Sequence, residues 1–124
     1  MRFGSLELRP DFAEAWFQLA MSYFRKSLYV RPEQRHLGAL HLAIRCYREA
    51  EQLSPRLAPL ARKEVANLER NLPPQSLSWV YSQLGDLYRE EGLDQEARSS
   101  YRRALRASPN NRHARESMEL CGQN

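Results

Sequence analysis

The chain has little glycine, few cysteines and almost no runs of β-branched residues. Five glycines in 124 residues, together with the scarcity of Val and Ile, leave α-helix as the only regular structure with strong support. The two cysteines, Cys46 and Cys121, form no CxxC pair and lie in no Cys/His cluster, which excludes a readable zinc site or disulfide framework. We therefore expect an all-α protein in which Cys46 is a small buried hydrophobe.

Long apolar stretches are also lacking. No segment approaches the eighteen apolar residues of a membrane span, and the first residues contain no apolar region of the secretory type. We expect no membrane partner and a reducing, cytoplasmic setting.

Sequence motifs of catalysis are missing as well. The chain contains no GxGxxG, P-loop or GxSxG element. His36, His41 and His113 have no Cys, Asp or Glu at a spacing that suggests metal ligands. We expect no catalytic residue, no metal site and no cofactor, so an enzyme is not predicted.

Lysine is nearly absent from a basic chain. The net charge is +4, and Lys26 and Lys63 are the two lysines beside 17 arginines. Guanidinium groups suit phosphate and carboxylate, which favours an anionic partner. The alternative is that these arginines are solvent-facing helical residues, because 15 acidic residues are interleaved with them and no run of five like charges occurs.

Apolar residues recur at intervals of three and four, which predicts six helices. Asp11 can cap the first, which reaches about Lys26, and Pro32 can begin the second after a connection from Ser27 to Arg31. The six predicted helices span residues 11–26, 32–53, 59–72, 75–91, 94–107 and a short stretch after 111.

Two segments repeat one order of aromatic, small and proline positions. They are Trp16-x2-Leu19-Ala20-x2-Tyr23 with Ala43-x3-Tyr47-x2-Ala50-x4-Pro55, and Tyr81-x2-Leu84-Gly85-x2-Tyr88 with Ala97-x3-Tyr101-x2-Ala104-x4-Pro109. Such a repeat predicts helix pairs that stack, since one pair cannot bury its apolar face alone. Ala20 and Gly85 permit a close approach of the partner helix, and the tyrosines fill the space between helices.

This pattern resembles the tetratricopeptide repeat (TPR) family, closely over residues 78–111. The resemblance implies a TPR-like α-α superhelix of about six helices in antiparallel hairpins. We expect a single domain over residues 1–124, since a length of 124 residues suits one domain, and 42% hydrophobic and 27% charged residues are typical of a folded chain. Its parts would be the tail of a preceding repeat (1–10), a first repeat (11–56), an extra helix without an obvious mate (57–75), a second repeat (76–111) and a capping helix (112–124).

The first copy is longer than the second. Trp16 and Pro55 are 39 residues apart, whereas Tyr81 and Pro109 are 28 apart, so eleven residues are inserted between the paired helices. We expect an elongated second helix and a longer loop between the helices. Residues 26–42 are then either a tolerated extension or an additional functional surface.

The resemblance implies a function, which is to bind a protein or peptide in the concave groove of the array. The groove positions that the family pattern gives here are Glu14, Phe17, Met21, Phe24, Arg25, Trp79, Ser82, Gln83, Asp86 and Arg89. Phe17, Met21 and Trp79 suit an anchoring role, although Phe17 and Phe24 equally suit packing between repeats. Phe17 and Met21 stand where the carboxylate-binding subgroup has Lys and Asn, which favours an apolar or internal peptide.

Two alternatives stay open. Arg98, Arg102, Arg103 and Arg106, with Arg112 and Arg115 nearby, could bind RNA, but stacking aromatics are needed beside them and packing already requires Tyr101. Self-association as a homo-oligomer is the other, through apolar surface near residues 1–10.

Overall fold

The structure, a computed structural model, describes residues 12–29 and 33–121. Six α-helices follow one another in the described chain, with no strand among them. The predicted all-α fold of helical hairpins is therefore confirmed. The helices are α1 (Phe12–Tyr29), α2 (Glu33–Leu53), α3 (Ala58–Arg70), α4 (Pro74–Glu90), α5 (Asp94–Ala107) and α6 (Arg112–Leu120).

The chain divides into two compact units, one ending at Asn71 and the other beginning at Leu72. Each unit contains a helical hairpin followed by a third helix: α1, α2 and α3 in the first, and α4, α5 and α6 in the second. The predicted tail of a preceding repeat, the Asp11 cap and Pro32 lie outside the described residues. The single-domain organisation remains a prediction.

The insertion in the first hairpin lies within the helices. α1 has thirteen residues after Trp16, whereas α4 has nine after Tyr81. α2 has ten residues before Ala43, whereas α5 has three before Ala97. α1 reaches Tyr29 and α2 already includes Glu33, so the expected longer loop, and the connection from Ser27 to Arg31, are wrong. The eleven residues add four to α1 and seven to α2, about one turn and two turns.

The first unit buries small residues and one aromatic ring between α1 and α2. Ala20, Ala43, Ile44 and Tyr47 are almost fully buried, in agreement with the repeat pattern. α3, the extra helix that the sequence predicts without a mate, packs on α2 and buries Ala58, Ala61 and Leu68. Arg62 of α3 forms an ion pair with Glu51 of α2 at 3.0 Å, and Arg56, just before α3, forms one with Glu14 of α1 at 2.7 Å.

The second unit repeats this arrangement with shorter helices. α4 and α5 bury Tyr81, Leu84, Tyr88, Tyr101 and other repeat positions between them. The connection turns at Gly92, whose φ of 78° lies in the left-handed region that glycine adopts without strain. The predicted break at Gly92 is confirmed.

Gly85 allows a close approach between α4 and the Tyr101 ring of α5. A Cβ atom built on Gly85 would lie 2.6 to 2.9 Å from three ring atoms of Tyr101. The ring cannot easily move aside, because it is fully buried and its hydroxyl donates a hydrogen bond to Asp86. Ala20 occupies the corresponding position in the first hairpin, where Met21 stands in place of Asp86 and offers no carboxylate to hold the ring of Tyr47.

Cys46 is buried within α2. Burial raises the pKa of its thiol to about 12. Burial also raises the pKa of Cys121, which follows α6. Since the thiolate is the reactive form, neither side chain is prepared for redox chemistry or metal binding.

We predict that Gly85→Ala destabilises the protein by about 1 to 3 kcal/mol, because the added methyl overpacks the interface with Tyr101. Gly38→Ala is the matched control. Gly38 also lies inside a helix, and a Cβ there meets nothing within 4 Å, so this change should stabilise by about 0.5 to 1 kcal/mol through helix propensity. Urea unfolding followed by circular dichroism measures both, and equal stabilisation by the two changes would contradict the argument.

We also predict that Cys46 resists thiol reagents in the folded protein. With a pKa of about 12, its thiolate fraction at pH 8 is about one in ten thousand. Labelling should become fast in urea, where the thiol regains its ordinary acidity. Labelling followed by mass spectrometry of each cysteine tests this, and native labelling of Cys46 at the rate of a free thiol would refute it.

Candidate functional site

Five of the ten predicted groove residues lie on α4, and the structure gives them different environments. Trp79 is the most exposed, at 36%, while Gln83 and Arg89 are half-buried. Ser82 is 3% exposed and Asp86 is half-buried. Trp79, Gln83 and Arg89 thus remain accessible to a ligand, whereas Ser82 does not.

Ser82 belongs to a hydrogen-bond network that joins α6 to α4. The side-chain amide of Asn111 donates to the hydroxyls of Ser78 and Ser82, each at 2.8 Å. Ser78 in turn donates to the carbonyl of Ala104 at 2.8 Å. The side-chain oxygen Oδ1 of Asn111 accepts a hydrogen bond from the backbone N–H of Ala114 at 3.0 Å and so caps α6. One asparagine therefore both begins α6 and holds it on the hairpin.

Asp86 is also engaged within the unit. Its carboxylate accepts the hydrogen bond from Tyr101 and lies 2.9 and 3.0 Å from Nε2 of His113 on α6. Burial, with the hydrogen bond to Asp86 next, raises the pKa of Tyr101 well above its usual value. The phenol therefore stays a donor at physiological pH, and Asp86 links all three helices of the unit.

The other five predicted groove residues lie on α1. Met21 is 36% exposed, and Glu14 and Arg25 are exposed at the surface. Glu14 pairs with Arg56 in the turn before α3. Phe17 packs edge-on against Tyr47 with ring centroids 5.3 Å apart, and Phe24 is half-buried. Met21 is therefore the apolar residue of this set that most resembles Trp79 in exposure.

Each set of five shares one helix, and the two helices belong to different units. The structure thus brings the predicted residues together in two separate groups. The concave groove joining them remains a prediction.

Sequence reasoning missed the network of Ser78, Asn111 and His113. A signal for Asn111 was present, since asparagine just before a helix is a favoured N-cap. Its bonds to α4 had no signal, because they join residues 29 and 33 positions apart.

A metal or membrane function gains no support from the described parts of the chain. Residues 12–29 and 33–121 contain no group of three His, Cys, Asp or Glu side chains placed to hold a metal ion. In the same residues, no helix has the length and hydrophobicity to span a bilayer.

Comparison with known families adds one match. Residues 78–111 match the family model described as Tetratricopeptide repeat. This segment, 34 of the 124 residues, is therefore similar to a tetratricopeptide repeat. No curated protein and no solved structure matches the chain.

The repeat assignment explains the packing positions of the second unit. The matched segment begins at Ser78, ends at Asn111 and contains Gly85 and Tyr101, which pack against each other in the hairpin. Tetratricopeptide repeats build protein-interaction scaffolds and are typically not catalytic, which supports that general class of function here.

We predict that Asn111→Ala loosens α6, because it removes an N-cap and leaves two hydroxyls without their donor. The loss should be about 2 kcal/mol, larger than the ~1 kcal/mol of a cap alone. Amide hydrogen exchange read separately for each helix should show the greatest change in α6.

Asn110→Ala is the control, since Asn110 is the exposed neighbouring residue in the same turn and makes no side-chain hydrogen bond to another described residue. If both variants exchange alike, Asn111 does not hold α6.

Proposed function

We propose that this protein is a non-catalytic scaffold that binds protein or peptide segments through the exposed face of the first helix of each hairpin, α1 in one unit and α4 in the other. The tetratricopeptide repeat at residues 78–111 supports interaction with proteins in general. The particular surface is inferred from exposed side chains on the first helix of each hairpin.

The observation that carries this proposal is the exposure of Met21 and Trp79. Both side chains are large and apolar, and both are 36% exposed on first helices. Such side chains gain a large contact area when a ligand covers them, and aromatic residues dominate binding energy at many interfaces. They are therefore the proposed anchors.

Polar neighbours of the anchors would set the register of the ligand. Gln83 and Arg89 on α4 and Arg25 on α1 offer donors from half-buried or exposed positions. Ser82 and Asp86 are left out of the proposed contact surface, since Asn111, Tyr101 and His113 already bind them.

In this proposal, Phe17 stabilises the first hairpin and is not an anchor for the ligand. Its ring packs edge-on against the buried ring of Tyr47, a geometry that stabilises aromatic pairs. Removing Phe17 would disturb the hairpin as well as a ligand contact, so Met21 is the better residue for a binding test.

The alternative of RNA binding through the arginines of α5 is less well supported. The nearest aromatic residues, Tyr81, Tyr88 and Tyr101, are buried, so none of them can stack on a base. We therefore favour a protein ligand.

We predict that Met21→Ala with Trp79→Ala weakens peptide binding by at least about thirtyfold while helicity is retained. The factor corresponds to about 2 kcal/mol, the level of an interface hot spot. Peptides selected from a displayed random library against the protein serve as ligands, and fluorescence anisotropy measures their affinities.

Leu60→Ala with Leu120→Ala is the control variant. These leucines are 50% and 53% exposed on α3 and α6, the third helices of the two units, and their removal should leave affinity nearly unchanged. Selected peptides that bind the Met21/Trp79 variant as tightly as the parent would exclude this surface.

A further inference from the structure

The segment from Ala97 to Arg115 concentrates positive charge on one part of the second unit. Its 19 residues include six arginines and no carboxylate, although acidic residues are spread over the rest of the chain. Two of these arginines are already engaged: Arg103 lies 5.8 Å from the ring centre of Tyr81, and Arg115 donates to the carbonyl of Pro109.

The three other arginines of α5 are Arg98, Arg102 and Arg106. They recur every four residues along α5, where Arg102 and Arg106 lie on the outer face and Arg98 lies at its edge, closer to the buried positions Ala97 and Tyr101. Arg102 and Arg106 are exposed and Arg98 is half-buried. No carboxylate among the described residues lies within ion-pair distance of any of the three.

In the first unit, surface arginines form ion pairs with acidic residues of the same chain. Arg45 of α2 pairs with Glu49 one turn later at 3.3 Å, and Glu51 of α2 pairs with Arg62 of α3. At the positions of α5 that correspond to Glu49 and Glu51, the chain has Arg103 and Leu105, so α5 lacks these acidic partners. Its outer face is therefore complementary to an anionic ligand from outside.

We propose that the face of α5 formed by Arg98, Arg102 and Arg106 binds an acidic segment of a protein partner. Successive arginines rise about 6 Å along the helix axis. Alternate residues of an extended chain are about 6.7 Å apart, so acidic side chains on one edge of such a segment match the spacing. Each guanidinium can hold a carboxylate with two parallel hydrogen bonds.

A nucleic acid is a poorer match for the same face. Tyr88 and Tyr101, the tyrosines nearest to these arginines in sequence, are buried. Single-stranded RNA would find phosphate contacts there without a ring on which to stack. This second surface is separate from the proposed anchors Met21 and Trp79, so each can fail without the other.

The test measures anisotropy of a short labelled polyglutamate peptide with the full chain at low and at physiological salt. We expect salt-dependent binding that Arg102→Gln with Arg106→Gln weakens by about fivefold, as expected for two exposed charge pairs. Arg56→Gln with Arg62→Gln removes the same charge from arginines that already have acidic partners and should change affinity by less than about twofold.

The proposal would be overturned by no binding of polyglutamate, by equal weakening in both charge-matched variants, or by tighter binding of an RNA of equal charge through the same arginines. The Met21/Trp79 variant should bind polyglutamate like the parent. Loss of binding in that variant would assign the acidic ligand to the first helices instead of to α5.

Discussion

The contact of a tyrosine ring with a small residue on the facing helix sets the distance between the helices of the second hairpin. Gly85 leaves room for the ring of Tyr101, and Asp86, one residue later, holds the hydroxyl of that ring. Because His113 binds the same carboxylate, the position of the ring also governs the docking of α6. The first hairpin keeps the small residue and the tyrosine but has Met21 in place of the carboxylate, so its third helix must be held differently, by packing of alanines and Leu68.

The insertion in the first hairpin is compatible with this contact because it consists of nearly whole turns. Four and seven residues correspond to 1.1 and 1.9 turns of α-helix, so Trp16 and Ala43 keep the faces they would have without it. A loop of eleven residues would cost chain entropy without adding helix–helix contact, whereas paired extensions continue the hairpin. Leu40, which corresponds to the first residue of α5, is buried, and Leu37 and Ala39 in the lengthened part of α2 are half-buried.

Local sequence patterns predict most of the fold but little of the candidate site. The positions of Gly92, Ala97, Tyr101 and the other repeat residues predicted the hairpins, since each of them acts through neighbours one helical turn away or through its direct partner helix. The sequence predicted the elongated α2, but it could not show that the rest of the insertion extends α1, because residues that continue a helical pattern there would equally suit a loop. Nor could it show that Ser82 is buried, because that depends on Asn111, far along the chain. A groove position in a repeat is thus decided by the helix packed beside it as much as by its own place in the pattern.

The two units differ in how the charges on the outward faces of their helices are balanced. In a helix that packs on one side only, the outward positions are free of packing constraints, and their charges are balanced either within the chain or by a partner. α2 contains acidic and basic residues within one turn of each other, and α3 supplies Arg62 to Glu51. α5 has its acidic residues, Asp94 and Glu96, confined to its first turn, where they favour the positive end of the helix dipole. The remaining length of α5 is left with arginines alone. The outward arginines do not contribute to the buried face of α5, which consists of alanine, serine and tyrosine side chains. The proposed interaction with an acidic partner gives a physical reason for their presence.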